Sequence, residues 1–240
     1  MLLRRGANDD RLLRATQWLE HNHIESQLKT GDIICRVGNG IWSDLCRELS
    51  KREKRFSHAG VILMGKDGTA TVIHAEGNDF TGIGQVLEEP LAEFLTGGDS
   101  AAVFRLNTPN RALEDEMAFK STIREYLGVP FDFKFDLSSH ERFYCTELVY
   151  CIMGKLDPPV LLTTFRNDKG KEYVPVDQVV GIATRFYRKG RWYDVNHRGY
   201  MAYVHLWTDF FFIRRPLIWA REKERAVLGR LKRFIRGRAR

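Results

Sequence analysis

The segment FSHAGVILMGKDGTATVIHAE, residues 56–76, has the pattern of a β-hairpin, and the rest of the chain is interpreted around it. Two apolar runs flank Gly-Lys-Asp-Gly, and turn residues between apolar runs are typical of a hairpin loop. If the loop has three or five residues centred on Asp67, directly opposite residue numbers add up to 134, twice 67. This register places Glu76 opposite His58 and His74 one diagonal step away, so all three side chains point to one face of the sheet.

A cysteine stands where an extended segment turns into a helix, in FYCTELV at residues 143–149. A thiol at a helix N-terminus is close to unpaired N–H groups and to the positive end of the helix dipole, which lowers its pKa and favours the thiolate. The same N–H groups can hold an oxyanion, and the N–H of Cys145 itself is a natural donor. Taken alone, a small cysteine in an apolar helix is more often simple packing. Tyr144 is a candidate substrate-binding residue through its hydroxyl, or an aromatic wedge beside the nucleophile.

His58 is a polar side chain among small and aliphatic residues, so its ring needs partners on a face otherwise suited to the core. A core histidine with satisfied hydrogen bonds explains this equally well by itself. The predicted register, however, adds His74 and Glu76 on the same face, and a histidine base needs a third polar group to fix its tautomer. The pattern therefore predicts a site made of Cys145, His58 and a polar group from the second hairpin strand.

Four segments together resemble the permuted papain-like amidases of the YaeF/YiiX type, cousins of NlpC-type peptidases and of lecithin retinol acyltransferase-like enzymes. The resemblance covers residues 28–155 and implies an α+β, papain-like (permuted NlpC-type) fold, with an antiparallel sheet packed against the helix that carries the nucleophilic cysteine. In such a fold the histidine strand precedes the cysteine helix, which is the reverse of the order in papain. The segments are LKTGDII at 28–34, FSHAGV at 56–61, VIHA at 72–75 and FYCTELV at 143–149.

The resemblance also implies roles for individual residues. Cys145 corresponds to the nucleophile, His58 to the base, and the orienting group lies in the second hairpin strand. YiiX-like members usually have a glutamate at the orienting position, whereas here His74 occupies it and Glu76 follows two residues later. His74 matches the acyltransferase cousins and Glu76 fits the hairpin register; His74 is the preferred assignment. The pair Gly31 and Asp32 is interpreted as structural.

The remaining patterns predict the elements around this core. A buried strand is expected at 32–37, and a strand or extended segment with an aromatic face at 131–136, where Asp132 and Asp136 are expected to be solvated. Residues 77–98 are interpreted as irregular because they are rich in glycine. The other expected elements are helices within 9–28 and at 41–49, 112–127 and 145–153, a strand at 101–106, and a helix entry or short strand at 174–180.

Composition indicates one domain with a charged tail. A chain of 240 residues with 43% apolar content is long enough for one sizeable core. Residues 214–240 carry a net charge of +9 against +7 for the whole chain, so the rest is at −2. Apolar residues at helical spacing in this tail predict a basic amphipathic C-terminal helix after a domain at 1–213. The four cysteines show no zinc-site spacing, and neither a metal nor another cofactor is expected.

These features predict a cysteine hydrolase, an amidase, esterase or acyltransferase that forms an acyl-enzyme on Cys145 with a peptide or lipid substrate. A catalytically silent papain-like domain that binds a peptide or acyl ligand is the alternative. The basic tail has two open interpretations, contact with an anionic membrane or packing on its own domain, and nucleic acid is not expected as a partner because the body of the chain is not basic. With no signal peptide recognised, a cytoplasmic or peripheral membrane location is expected.

Overall fold

The computed structural model describes residues 2–21, 23–38, 41–51, 54–78, 81–106 and 110–179. The predicted C-terminal helix at 214–240 and the end of the predicted domain at 213 lie outside these residues.

A five-stranded antiparallel sheet forms the centre of the fold, in the order β4-β3-β2-β1-β5. A separate two-stranded sheet pairs β6 with β7. The strands are β1 (Ile33–Gly38), β2 (His58–Met64), β3 (Ala70–Asn78), β4 (Ile83–Pro90), β5 (Gly98–Phe104), β6 (Phe165–Arg166) and β7 (Glu172–Tyr173).

Six α-helices and one short 3-10 helix (Glu25–Gln27) have both ends within the described residues, and a further helical segment starts at residue 176. None of these helices has the length and apolar character needed to cross a bilayer. The α-helices are α1 (Leu2–His21), α2 (Ile41–Leu49), α3 (Leu91–Thr96), α4 (Arg111–Glu114), α5 (Glu116–Arg124) and α6 (Cys145–Gly154).

Both faces of the sheet are covered by apolar side chains, because residues of a strand alternate between the two faces. On one face Ala59, Val61 and Ile73 pack with the buried side of α6, including Leu148 and Ile152. The opposite face forms a second cluster with α1 and α3. The site lies at the end of the sheet where β2 begins, since the first residue of β2 is His58.

The β2–β3 hairpin has the predicted register. Val61 pairs with Ile73 and Ile62 with Val72, and the connecting loop has five residues centred on Asp67. Gly60 allows the two strands to pack closely on the His58 face, because a Cβ there would lie 2.6 Å from a Val72 methyl carbon and 3.0 Å from the His74 Cβ. The strands at 32–37 and 101–106 and the helices at 41–49 and 145–153 are also present, within one to three residues of the expected bounds.

Four expectations are wrong in detail. The supposedly irregular segment 77–98 contains β4 and α3; β4 is an edge strand with only Val86 fully buried, so its sequence lacks apolar alternation. The helix expected at 112–127 is split because Asp115 caps α5 by accepting from the Ala118 N–H. The first helix begins at Leu2 and ends at His21, so its span also differs from the expected one.

The fourth difference is in the aromatic segment at 131–136, which is a turn and not a strand. The buried Asp132 carboxylate accepts from the N–H groups of Lys134 and Asp136 at 2.8 and 2.9 Å, and Phe135 has a φ of 50°. Side-chain acceptors of this kind favour turns over strands because they compete with the ladder hydrogen bonds. Asp132 is therefore a structural residue, and the expectation that it is solvated is wrong.

Candidate active site

The hairpin brings His58, His74 and Glu76 into contact on one face, as its register requires. His58 Nε2 lies 2.8 Å from His74 Nδ1 and 3.7 Å from Glu76 Oε2. Glu76 Oε2 is also 3.3 Å from His74 Nδ1. The direct hydrogen-bonding partner of His58 is therefore His74, and Glu76 lies beside both rings.

Arg36 is a fourth member of this cluster that the sequence patterns did not single out. It is the β1 residue that pairs with His58 across the strands, and it is buried. Its Nη2 donates to Glu76 Oε2, and its Nη1 donates to the Phe94 carbonyl oxygen at 2.7 Å. The Phe94 ring lies under the guanidinium at 4.5 Å and within 5.8 Å of both imidazole centroids. An arginine in the otherwise apolar run of β1 was the available signal.

Glu89 contacts the site from the edge strand. Its Oε1 lies 2.9 Å from His74 Nε2, so His74 bridges His58 and a carboxylate. The side chain of His74 is 1% exposed and that of Glu89 is 22% exposed. Glu89 could not be found from the sequence because β4 itself was interpreted as irregular.

His58 is held in its neutral form. Burial is the main reason that its pKa lies well below the usual value, and the nearby Arg36 and His74 lower it further. A neutral imidazole carries hydrogen on one nitrogen only and can accept a proton at the other. His58 therefore has the protonation state that a general base needs.

Cys145 lies at the first position of α6, against the beginning of β2. It is 5% exposed, and its sulfur accepts from the backbone N–H groups of Ala59 and Thr146. Burial nevertheless raises the pKa of the thiol to about 11, and Glu76 adds to the rise while the N–H groups and Arg36 oppose it. The expected lowering of the pKa by the helix N-terminus is therefore wrong, because the cost of burying a charged sulfur exceeds the stabilisation by the helix amides.

A small cavity adjoins the cysteine. Its volume is about 10 Å³, room for roughly one water molecule. Tyr144 also lines this cavity, but its hydroxyl accepts from the Val174 N–H at 2.8 Å, which gives it a structural partner. The other lining residues include Cys46 and Leu49 of α2 and the segment 173–176.

The carboxylate of Glu147, two residues after Cys145, has a structural role in α6. Glu147 is fully buried, accepts from the Tyr144 N–H at 3.4 Å and lies 3.1 Å from His140 Nδ1. Burial raises its pKa to about 8. Glu147 therefore caps the N-terminus of α6. Cys151 is half-buried with a pKa raised to about 12 by burial, which makes it an unreactive thiol.

The cluster also has the composition of a metal site. Single donor atoms of His58, His74 and Glu76 lie within 4.8 Å of one another. Two imidazole nitrogens and a carboxylate oxygen form a donor set used by catalytic zinc, and the Glu89 carboxylate behind His74 resembles the groups that orient metal-binding histidines. Arg36, however, already places a positive charge on Glu76 Oε2, and a cation would have to compete with it.

Comparison with known proteins identifies the family. Residues 27–196 match the family model described as "Permuted papain-like amidase enzyme, YaeF/YiiX, C92 family". The chain belongs to this family. The YiiX-type resemblance and the papain-like fold expected from the sequence are thus confirmed, as is amidase chemistry at the level of the family.

Two members illustrate the relationship. The "Uncharacterized protein YiiX" of Escherichia coli (strain K12) is 26% identical over 125 residues, which are 52% of this chain. The match spans 56% of that relative's length, little more than half. A solved structure titled "metalloprotein yiiX from Escherichia coli O157:H7, DUF1105" superposes with a TM-score of 0.53 at 20% identity, covering 64% of this chain and 92% of that one. At this identity the superposition supports the fold alone.

The raised pKa of the Cys145 thiol predicts the protonation state of this residue in the substrate-free protein. Because the folded protein holds Cys145 as a thiol, its thiolate should form only as the pH approaches about 11, and not at neutral pH. The difference in ultraviolet thiolate absorbance between the wild type and Cys145→Ser, followed from neutral to alkaline pH, measures this. Cys151→Ser is the matched control on the same helix. A Cys145 thiolate signal at neutral pH that disappears in His58→Ala would contradict the account and indicate a resting ion pair.

Proposed function

We propose that the protein is a cysteine hydrolase that cleaves an amide or ester bond through an acyl-enzyme intermediate on Cys145. The observation that carries the proposal is that Cys145, at the N-terminus of α6, accepts from the N–H of Ala59, the residue that follows the largely enclosed, neutral His58 at the start of β2. Family membership supports the same chemistry. His58 acts as the base, and His74, its direct hydrogen-bonding partner, is the orienting third residue; Glu76 is held by Arg36 beside them.

The first step transfers a proton as the sulfur attacks. His58 Nε2 is engaged by His74, so Nδ1 is the nitrogen that takes the S–H proton of Cys145. The sulfur forms a bond to the carbonyl carbon, and the oxygen becomes an oxyanion. The N–H of Cys145, at the free end of α6, is a suitable donor to this oxyanion because the first N–H groups of a helix lack intrahelical partners.

The later steps return the proton. The imidazolium of His58 gives its proton to the leaving amine or alcohol as the carbonyl–heteroatom bond breaks, which leaves a thioester on Cys145. A water molecule, or another acyl acceptor, then attacks the thioester with His58 again as the base. Glu76, 3.7 Å from His58 Nε2, favours the transient imidazolium, while Arg36 disfavours it.

An acyl group that approached Cys145 through the adjoining cavity would have to widen it, because about 10 Å³ does not admit such a group. The wall formed by Tyr173, Val174 and Val176 is part of this barrier. On that route, a peptide or a lipid acyl chain displaces part of the wall before the sulfur attacks. Contact of residues 214–240 with an anionic membrane stays a proposal that rests on their charge pattern.

Trapping the acyl-enzyme tests the proposed function. Activated esters, a mixed peptide pool and phospholipid vesicles are incubated with the protein, and the intact mass is measured. The wild type should gain the mass of one acyl group, Cys145→Ala should gain none, and Cys151→Ala should behave as the wild type. His58→Ala should slow acylation by about 10²- to 10⁴-fold, the usual contribution of a general base. A folded wild type that gains no mass from any substrate would indicate instead a catalytically silent binding domain.

A second candidate function is metal binding at the same cluster. It is favoured by the three converging donor atoms, and the similar solved structure is titled as a metalloprotein. His58, His74 and Glu76 would hold the ion, and a bound divalent cation such as zinc would supply a Lewis acid. Glu89 would then keep His74 Nδ1 free of hydrogen and available as a ligand.

Zinc content separates the two candidates. If the cluster binds a metal, protein that is equilibrated with zinc and then desalted retains about one zinc ion per chain. Glu76→Gln should lose most of this ion because a carboxylate ligand is removed, while the exposed surface variant Glu48→Gln should retain it. Elemental mass spectrometry gives the stoichiometry. Equal zinc in wild type and Glu76→Gln, together with hydrolysis that persists in a chelator, would exclude the metal centre and leave the thiol mechanism.

A further inference from the structure

A continuous chain of hydrogen bonds runs from Glu89 to the base. Glu89 Oε1 lies 2.9 Å from His74 Nε2, and His74 Nδ1 lies 2.8 Å from His58 Nε2. His74 is enclosed in the sheet and in contact with Phe94, so both of its ring nitrogens depend on these partners. The direction in which hydrogens point along this chain decides which nitrogen of His58 carries a lone pair.

We infer that Glu89 is a positioning residue whose carboxylate sets the tautomers of His74 and His58. An ionised carboxylate only accepts, so the hydrogen between Glu89 and His74 belongs to His74 Nε2. With its hydrogen on Nε2, His74 presents Nδ1 as an acceptor, and the 2.8 Å contact is completed by a hydrogen on His58 Nε2. Nδ1 of His58 is consequently the unprotonated nitrogen. This assignment of tautomers is independent of catalysis. The role of His58 Nδ1 as the base for Cys145 rests on the proposed function.

The competing carboxylate, Glu76, would impose the opposite order if it controlled His74. Its Oε2 lies 3.3 Å from His74 Nδ1, and a hydrogen on that nitrogen would leave Nε2 as a lone pair facing the Glu89 carboxylate. Two acceptors at 2.9 Å repel each other. Glu76 already receives hydrogen from Arg36, whereas Glu89 has the shorter contact to the ring. The order set by Glu89 is therefore the favourable one.

The pairing of β3 with β4 places Glu89 beside His74. It also places the neighbouring Glu88 on the opposite face, where it can serve as a matched control. His74 pairs with Leu87 across β3 and β4, and Glu89, two residues further along, lies on the same face at the diagonal position. Glu88 points to the opposite face, where it binds Arg124 at 2.7 Å and Thr71 at 2.6 Å. Glu88→Gln and Glu89→Gln thus make the same chemical change at adjacent positions on opposite faces.

Nitrogen-15 NMR of the histidine rings in substrate-free protein tests the tautomers directly. Wild type and Glu88→Gln should both show His58 and His74 protonated at Nε2. In Glu89→Gln the side-chain amide can donate to His74 Nε2, which allows the reversed order, so the single tautomer should be lost. Glu89→Asp, which keeps the charge, should restore the wild-type tautomers at least in part. Wild-type spectra with His58 protonated at Nδ1, or a Glu89→Gln spectrum identical to wild type, would overturn the inference.

Kinetics of the same variants test the consequence for the reaction. Glu89→Gln should lower kcat by about 100-fold or more while KM changes little, because the substrate does not touch Glu89 but the base is misdirected. Glu88→Gln should keep the wild-type kcat. If the wild-type tautomers are as inferred but no acyl-enzyme forms on Cys145, the proposed function fails and the assignment of Glu89 stands. An unchanged kcat in Glu89→Gln with a working Cys145 would overturn the positioning role.

Discussion

The antiparallel pairing of β2 with β3 is the constraint on which the site depends. Val61 opposite Ile73 places His58, His74 and Glu76 on one face and their apolar neighbours on the other. Side chains alternate between the two faces with every residue. A slip of one residue would therefore point the His74 side chain into the apolar core packed on α6, and a core side chain would take its place beside His58. The five-residue loop and the buried residues of both faces hold this register. The chemistry of the site is therefore a consequence of strand pairing.

Burial then decides the protonation states. His58 is neutral because burial disfavours its charged form, and the Cys145 thiol has a pKa of about 11 for the same reason. The amides at the start of α6 stabilise a thiolate but do not outweigh its desolvation. A resting pair of neutral groups follows, so the proton moves when the sulfur attacks. Such a site depends more on the tautomer of its base than a site with a preformed thiolate, which is why the contacts behind His58 matter.

Local patterns predicted the parts of the site that come from well-buried elements. The hairpin register and the start of α6 followed from apolar periodicity and turn residues, and these alone brought His58, His74 and Glu76 together. Arg36 and Glu89 were missed because each reaches the site through pairing between strands, β1 with β2 and β4 with β3, which no local pattern specifies. The pKa of Cys145 was wrongly predicted because the depth of burial depends on how α6 packs against the sheet. The turn at Asp132 was missed because phenylalanines that alternate with polar residues are also the pattern expected of a strand.

The most direct test of the account is the rate at which a small alkylating reagent modifies Cys145 at neutral pH, measured by peptide mass spectrometry beside Cys35, Cys46 and Cys151. The account predicts that His58→Ala slows the modification of Cys145 by about 100-fold without changing the rates of the other three cysteines, because the base that removes the proton of Cys145 is gone. A Cys145 rate that does not change in His58→Ala would contradict the pairing of this sulfur with this imidazole.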